Sequence, residues 1–221
     1  MLKTKYRNLI SKIKEGIEEA RHRKTVSEFK FADQDFKLTT DWPLDKNSVV
    51  FDVGGYDGNF TALIHDKFQC KVFVFEPHPE LFSKLKIRFK EKKNIIPLNK
   101  ALSDYTGYAE ISDHSNASRI SKTKQKEGIK CEVTTVNSVM REYEIETIDL
   151  MKINIEGSEF ELFSDIFKNS CQDSILAFLV QFHNFVPNAA LKRANILEQL
   201  SETHSLKWCF DFVWESWIKK D

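Results

Sequence analysis

The stretch VVFDVGGYDGNF, residues Val49–Phe60, determines how the rest of this 221-residue chain is organised. An apolar, β-branched run ends in an acid, passes through a glycine-marked turn and leads into residues 61–64, whose pattern is that of a helix start. A strand, a tight loop and a helix N-terminus in this order direct unpaired backbone N–H groups at a ligand above the strand. Glycine lets that ligand approach the backbone closely. The stretch predicts a nucleotide-type binding site, although a purely structural turn uses glycines in the same way.

The composition limits the classes of protein to which the chain can belong. Hydrophobic residues make up 41% and charged residues 30%, as in globular proteins, and 18 phenylalanines indicate an aromatic-rich core. The 33 basic and 33 acidic residues balance, so no overall field favours nucleic acid or an anionic membrane. Scattered cysteines without a C-x-x-C pair indicate reduced thiols. Residues 1–16 carry frequent charges and predict neither a signal peptide nor a membrane span, so we expect a cytoplasmic protein.

The residues before position 45 are predicted to form an appendage. Residues 3–24 place apolar side chains at helical spacing among an excess of basic ones, which indicates an amphipathic helix. This helix either packs on the domain or a neighbouring subunit, or docks on a membrane surface or a partner. Phenylalanines that alternate with polar residues over 28–40 favour a small hairpin. We expect an appendage over residues 1–44 and a main domain over residues 45–221.

Strand and helix patterns alternate from residue 48 onward. Such alternation specifies a mostly parallel sheet with right-handed crossovers and helices packed against it. An aromatic pattern over residues 206–218 favours an antiparallel hairpin at the sheet edge. The polar, lysine-rich stretch over residues 112–128 predicts a mobile loop over one face of the sheet.

Polar residues follow the predicted strands at the ends where an open parallel sheet binds its ligands. Glu76 lies roughly twenty residues after the glycine turn, where an acid accepts hydrogen bonds from both ribose hydroxyls of an adenosine-type cofactor. Tyr56 occupies the middle position of a G-x-G-x-G loop. A bulky residue there crowds a pyrophosphate, which disfavours an NAD-dependent oxidoreductase and favours a cofactor without phosphates.

Motifs around these strand ends resemble those of the FkbM family of S-adenosylmethionine-dependent methyltransferases. They read VFDVGGYDG from Val50, VFEPHP from Val74, ALSD from Ala101, IDLMKINIEGSE from Ile148 and VQFH from Val180. The match spans residues 48–185 in the family's order, and the FEP and KIxxEGxE segments are the specific ones. The resemblance implies a class I methyltransferase fold, with a seven-stranded, mostly parallel sheet, helices on both faces and an antiparallel last strand.

The resemblance also implies where S-adenosylmethionine and its product S-adenosylhomocysteine bind. By similarity, Asp52, Gly54 and Gly58 would shape the pocket on the methionine side. Glu76 would hold the ribose, and Ser103-Asp104 would meet the adenine. From the same motifs we expect further cofactor contacts from Tyr56, Asp57, Asn59, Pro77 and Asn154.

Methyl transfer to a hydroxyl needs alignment and a group that takes the hydroxyl's proton. Family members act mostly on hydroxyls of sugars or natural products, so we expect a saccharide or glycan-precursor acceptor, or otherwise a non-sugar small molecule. The candidate bases are Asp57, Glu156, Glu159 and His183. His183 is preferred because imidazole titrates near neutral pH, although a histidine there can also bond a loop backbone.

Asn154 stands where the family usually has Asp, in Lys-x-Asp-x-Glu-Gly. An amide orients a substrate or a cofactor amine but neither accepts a proton nor gives a metal negative charge, and we predict no metal site. We take His183, Glu156 and Asn154 as the catalytic group, with a non-catalytic binding module as the second hypothesis. Lys152, on the same strand face as Asn154, is an interior partner or a substrate contact. The expected partners are a small-molecule or saccharide substrate and a second copy of the chain, but not nucleic acid.

Overall fold

A computed structural model describes residues 2–32, 38, 41–111, 120–121 and 128–221. The helices are α1 (Leu2–Phe31), α2 (Asn59–Phe68), α3 (Pro79–Arg88), α4 (Val136–Glu142), α5 (Glu159–Lys168) and α6 (Ala189–Thr203), with a short 3-10 helix at Cys171–Ser174. The strands are β1 (Val49–Val53), β2 (Lys71–Phe75), β3 (Ile95–Leu98), β4 (Lys100–Leu102), β5 (Gly107–Ile111), β6 (Ile120–Ser121), β7 (Ile129–Thr134), β8 (Leu150–Ile153), β9 (Ala177–Val180), β10 (His204–Phe210) and β11 (Trp214–Lys219).

Seven strands form the main sheet in the order β3-β2-β1-β8-β9-β11-β10. The first five of these are parallel to one another, and β11 is antiparallel to both of its neighbours. This confirms the predicted mostly parallel sheet and the aromatic hairpin at its edge. The direction of winding reverses between β1 and β8, and such a switch point opens a crevice at the carboxyl ends of the strands.

Each face of the main sheet carries its own apolar core, because successive side chains of a strand point to opposite faces. On one face Phe51 of β1 packs in a buried cluster with α4, α5 and α6, where Phe163 of α5 is fully buried. On the other face Val50 packs with Ile64 of α2 and Leu85 of α3. Burial of these side chains is the main favourable contribution to folding, and it fixes helices on both faces as predicted.

A second sheet, in the order β4-β7-β5-β6, is a feature that the sequence did not predict as a separate unit. The chain leaves the main sheet at Asn99, whose side-chain amide donates to the carbonyl oxygens of Glu76 (2.9 Å) and Pro77 (3.0 Å). β4 then pairs with β7 around a small core that contains Ile111 and Val133. The mobile loop predicted over 112–128 lies outside the described residues, apart from β6 and Gly128.

Helix α1 continues to Phe31 and so is longer than predicted. The first arm of the predicted hairpin is therefore wrong, because Phe29 reaches the domain from a helix. Its ring centroid lies 5.2 Å from that of Phe210 and 6.1 Å from that of Trp208. The rest of the hairpin falls in residues 33–37 and 39–40, outside the described part of the chain, and the boundary after residue 44 stays a prediction. None of the helices within the described ranges has the length and apolarity needed to span a bilayer.

Candidate active site

A pocket of about 320 Å³ opens at the carboxyl ends of β1, β2 and β8. Small-molecule sites usually have volumes of about 300–1,000 Å³, so the pocket is large enough for a cofactor. Its lining residues are 53–57, Phe60, Phe75, Glu76, Pro77, Leu81, 100–102, Lys152 and 154–156.

The loop after β1 is shaped by glycine at the point where it meets the end of β8. Gly54 has a φ of 87°, and a Cβ atom there would lie 2.0 Å from the backbone oxygen of Asn154. The N–H groups of Gly54 and Gly55 both donate to the carbonyl oxygen of Phe75 at 3.0 Å. Glycine at position 54 is thus required for β1 and β8 to approach each other beneath the pocket.

The predicted cofactor-binding residues at the end of this loop mainly stabilise the loop itself. Gly58 is buried against α3, where a Cβ atom would lie 2.7 Å from the Cδ2 atom of Leu85. Asp57 lines the pocket, but its carboxylate accepts from the backbone N–H (3.0 Å) and the side-chain amide (2.6 Å) of Asn59. Arg88 donates to the Asn59 side-chain oxygen at 2.9 Å and to the Asp57 carbonyl. Gly58 and Asn59 therefore fix the loop rather than line the pocket.

Glu76 presents a buried carboxylate to the pocket, as predicted. Its Oε2 atom accepts from the backbone N–H of Tyr56 at 2.8 Å, and Oε1 accepts from that of His78 at 3.0 Å. Burial raises the pKa of Glu76, and these two backbone donors oppose the shift only in part. Each carboxylate oxygen has a further lone pair, so two ribose hydroxyls could be held as well. Pro77 lines the pocket beside it, and Tyr56 lies at the rim with 48% of its surface exposed.

Asp52 lies beneath the pocket and is fully buried. Lys152 Nζ donates to Asp52 Oδ1 and to the Gly54 carbonyl oxygen, both at 2.8 Å, and Thr61 Oγ1 donates to Asp52 Oδ2 at 2.6 Å. Lys152 lines the pocket and Asp52 does not, so the lysine is both an interior partner and a pocket residue. Our set of expected cofactor contacts missed Lys152. The contact follows from the register in which β1 pairs with β8, which sets Asp52 opposite Lys152 and which no sequence pattern marks.

The wall at the expected adenine end is formed by Lys100, Ala101 and Leu102. Ser103 is buried, and its hydroxyl donates to Asp104 Oδ1 at 3.2 Å. Asp104 lines a different cleft, between α5 and α6. The structure brings the three preceding residues, and not Ser103-Asp104, to the pocket, and the adenine contact stays a prediction.

A second polar group adjoins the pocket at the ends of β8 and β9. His183 Nδ1 lies 2.6 Å from Glu159 Oε1, and His183 Nε2 lies 3.7 Å from Glu156 Oε2. Glu156 lines the pocket, whereas His183 lies behind it with 11% of its side chain exposed. Glu156 and Gly157 form a left-handed turn with φ values of 53° and 101°, and a Cβ atom on Gly157 would lie 2.8 Å from Val186 Cγ2. The structure therefore brings His183 and Glu156 together, while their role as a catalytic group stays a prediction.

Asn154 lines the pocket close to this turn. Its Oδ1 atom is buried and has no hydrogen-bond partner among the described residues. An orphaned amide oxygen fits a donor group on a ligand, such as an ammonium. With the Glu76 carboxylate for a ribose and the Lys152 ammonium for a carboxylate, the polar groups fit S-adenosylmethionine and S-adenosylhomocysteine. In the part of the chain that the structure describes, no three His, Cys, Asp or Glu side chains are grouped to hold a metal ion.

Comparison with solved structures identifies chains of the same fold. The methyltransferase FkbM of Methylobacillus flagellatus KT is 12% identical with a TM-score of 0.55, covering 80% of this chain and 45% of that one. SMU.1697c of Streptococcus mutans, solved in complex with S-adenosylhomocysteine, is 12% identical with a TM-score of 0.50, covering 86% of this chain and 97% of that one. A putative rRNA methylase of Clostridium thermocellum is 9% identical with a TM-score of 0.55, covering 87% of this chain and 96% of that one.

Comparison of the sequence gives the family. No curated protein matches the chain. The model of the methyltransferase FkbM domain matches residues 52–202, which is more than half of the chain and includes the pocket residues and His183. This chain spans less than half of the Methylobacillus structure, so that protein's complete activity is not transferred to it. The chain belongs to the FkbM family of S-adenosylmethionine-dependent methyltransferases.

Proposed function

We propose that this protein binds S-adenosylmethionine in the pocket after β1 and methylates a hydroxyl group of a saccharide or glycan precursor. The observation that carries the proposal is the position of a histidine–carboxylate pair directly behind Glu156 in the pocket wall. An acceptor that needs proton removal requires such a pair, whereas a simple binding module does not.

The cofactor would be held by polar groups that differ along the pocket. The Glu76 carboxylate is placed to accept from the ribose hydroxyls. Lys152 Nζ and Asn154 Oδ1 are complementary to the carboxylate and the ammonium of the methionine tail. When bound, S-adenosylmethionine supplies an electrophilic methyl group on a sulfonium and leaves as S-adenosylhomocysteine.

The acceptor would be activated by His183. A sugar hydroxyl is a weak nucleophile, and a base that takes its proton accelerates its reaction by about 10²–10⁴-fold. Nε2 of His183 points towards Glu156 at the pocket wall, while Nδ1 is engaged by Glu159. Glu156 and Asn154 then orient the hydroxyl, and His183 accepts its proton at Nε2.

A saccharide is preferred to nucleic acid because of the charge balance of the chain. Its 33 basic and 33 acidic residues create no overall positive field for a polyanion. The same balance gives no reason to expect a charged lipid surface as partner. A homo-oligomeric assembly and a cytoplasmic location both stay predictions.

The proposal is tested by S-adenosylhomocysteine release with a panel of sugar nucleotides, and with an RNA transcript as the competing acceptor. We expect release with at least one sugar nucleotide and none with RNA. Release with RNA alone would contradict the saccharide acceptor. Binding of S-adenosylhomocysteine without release from any acceptor would instead support the non-catalytic module.

A further inference from the structure

Glu159 is the most constrained carboxylate next to the pocket. Its side chain is fully buried at the start of α5. Oε2 has no hydrogen-bond partner among the described residues, and every hydrogen bond that they make to this carboxylate ends on Oε1. That oxygen accepts from the backbone N–H groups of Gly157 at 3.1 Å and Ile155 at 3.3 Å, and lies 2.6 Å from His183 Nδ1. Its three contacts join the turn after β8 to the histidine after β9.

The two backbone contacts of Glu159 Oε1 determine which atom carries the hydrogen in its contact with His183. A carboxylate that accepts two N–H groups at one oxygen is held as an acceptor, and burial leaves it little freedom to turn. The neighbouring nitrogen of the imidazole must then carry the hydrogen. A neutral imidazole has only one N–H group, so Nε2 is left with its lone pair towards Glu156.

We propose that Glu159 is a positioning residue that holds His183 as the Nδ1–H tautomer and keeps Nε2 available as the base. The proposal rests on the proposed function. As the new O–C bond forms and the S–C bond breaks, the acceptor's O–H bond breaks and its proton goes to His183 Nε2. The resulting imidazolium lies between Glu159 and Glu156 and returns its proton to solvent.

The same oxygen also places Glu156 relative to the base. Glu156 adopts a φ of 53°, which is unusual for a residue other than glycine, and the next residue, Gly157, has a φ of 101°. The N–H groups on both sides of Glu156, those of Ile155 and Gly157, end on Glu159 Oε1. One carboxylate therefore fixes both the wall residue and the histidine behind it, which explains why it is buried at a helix N-terminus next to the pocket.

The tautomer is measured directly on the unmodified protein. Ring ¹⁵N NMR of the full chain, labelled on histidine and assigned with His183→Ala, reports which nitrogen carries the hydrogen when the imidazole is neutral. We expect the Nδ1-protonated form for His183. The Nε2-protonated form would overturn the proposal. This readout does not need an acceptor, so it stands even if methyl transfer to saccharides is not found.

Kinetics separate positioning from a structural role. Glu159→Gln keeps an oxygen for the two backbone N–H groups and for Nδ1–H but removes the charge that stabilises the imidazolium. We expect turnover to fall by about tenfold or more, a part of the roughly 10²–10⁴-fold that a general base contributes, with S-adenosylhomocysteine affinity unchanged within about twofold. Glu161→Gln is the matched control, because Glu161 lies in the same first turn of α5 but lines the cleft between α5 and α6. It should retain turnover.

A double substitution shows whether Glu159 acts through His183. In the His183→Ala background, Glu159→Gln should cause no further loss, because residues that act as a unit are not additive. An equal fold-loss in both backgrounds would overturn the proposal. Glu159→Ala, which removes the oxygen altogether, should increase the Nε2–H form of His183. A melting curve that matches the wild type accompanies each variant and confirms that it is folded.

Discussion

The two sides of the pocket are built by different means. On the cofactor side, the loop after β1 is held through its backbone N–H groups: those of Gly54 and Gly55 donate to the Phe75 carbonyl, and that of Tyr56 donates to Glu76. On the acceptor side, the geometry depends on a contact between two side chains. Glu159 and His183 are separated by 24 positions and meet only when α5 and the end of β9 pack together.

This difference predicts which measurable property depends on each side of the pocket. A backbone-built loop next to a buried ion pair belongs to the folded core, so changes there alter stability and cofactor binding together. Among the described residues, the His183 imidazole hydrogen-bonds only to a side chain, so it can be removed without moving the strands. We therefore expect the acceptor side to control turnover while leaving cofactor affinity unchanged.

The largest effect should come from Gly54→Ala. The added Cβ atom would lie 2.0 Å from the Asn154 carbonyl oxygen, and a positive φ strains any side chain by a further 1–2 kcal/mol or so. Since the clash is with backbone, β1 and β8 must separate, and we expect S-adenosylhomocysteine binding to be lost in calorimetry and the melting temperature to fall. The control is Gly16→Ala in α1, where nothing lies within 4 Å of the added atom. Gly16→Ala should gain up to about 1 kcal/mol of stability. If Gly54→Ala still bound S-adenosylhomocysteine, the loop after β1 would not depend on this glycine.

Lys152→Met should be the next largest effect. It leaves the fully buried Asp52 carboxylate without its cation, and breaking a buried pair costs about 3–5 kcal/mol. Urea denaturation measures this as a lower free energy of unfolding. The double variant Asp52→Asn with Lys152→Met removes the uncompensated charge and should recover much of the loss. If the double variant were as unstable as Lys152→Met, the ion pair would not be the cause.

His183→Ala tests the acceptor side. Removing the base should lower turnover by about 10²-fold or more, the usual contribution of general base catalysis. Affinity for S-adenosylhomocysteine should stay within about twofold, because His183 does not line the pocket. The control is His22→Ala in α1, because His22 is only partly buried and lies outside the pocket lining. It should leave turnover unchanged. Undiminished turnover in His183→Ala would exclude it as the base.

The smallest effect should be the contribution of Glu76 to the pH dependence of the free energy of unfolding. Burial raises its pKa in the folded state above the ordinary value of 4.5, so the native state binds more protons than the unfolded state in the window above that value. The wild type should lose free energy of unfolding relative to Glu76→Gln as the pH rises from 4.5 through the raised pKa. Urea denaturation over a pH series measures the difference. The control is Glu80→Gln, at an exposed position of α3, whose free energy of unfolding should follow that of the wild type. If the difference in free energy of unfolding between the wild type and Glu76→Gln did not change with pH, the pKa of Glu76 would not be raised in the folded state.

Much of the cofactor side could be predicted from the sequence because its signals are local. The strand and turn around Gly54, the acid at Glu76 and the order of strands follow from apolar patterns and glycine positions within short stretches. The structure confirms the sheet and places both residues at the pocket. Local patterns also gave the β10–β11 hairpin, although not the length of α1.

The remaining features depend on packing between distant segments. Lys152 becomes a pocket residue through its pairing with Asp52 on the neighbouring strand, and Glu159 acts on His183 through the docking of α5. Residues 100–102, and not Ser103-Asp104, line the pocket because the second sheet carries β4 out of the main sheet after Asn99. None of these contacts leaves a periodic signal in the chain.

The proposed function requires that the pocket after β1 holds an S-adenosyl cofactor. Calorimetric titration of the wild-type protein with S-adenosylhomocysteine, and in parallel with NAD, is the decisive experiment. We expect micromolar binding of one S-adenosylhomocysteine per chain and no binding of NAD, because Tyr56 crowds a pyrophosphate. Absence of S-adenosylhomocysteine binding, or tighter binding of NAD, would contradict the proposed function.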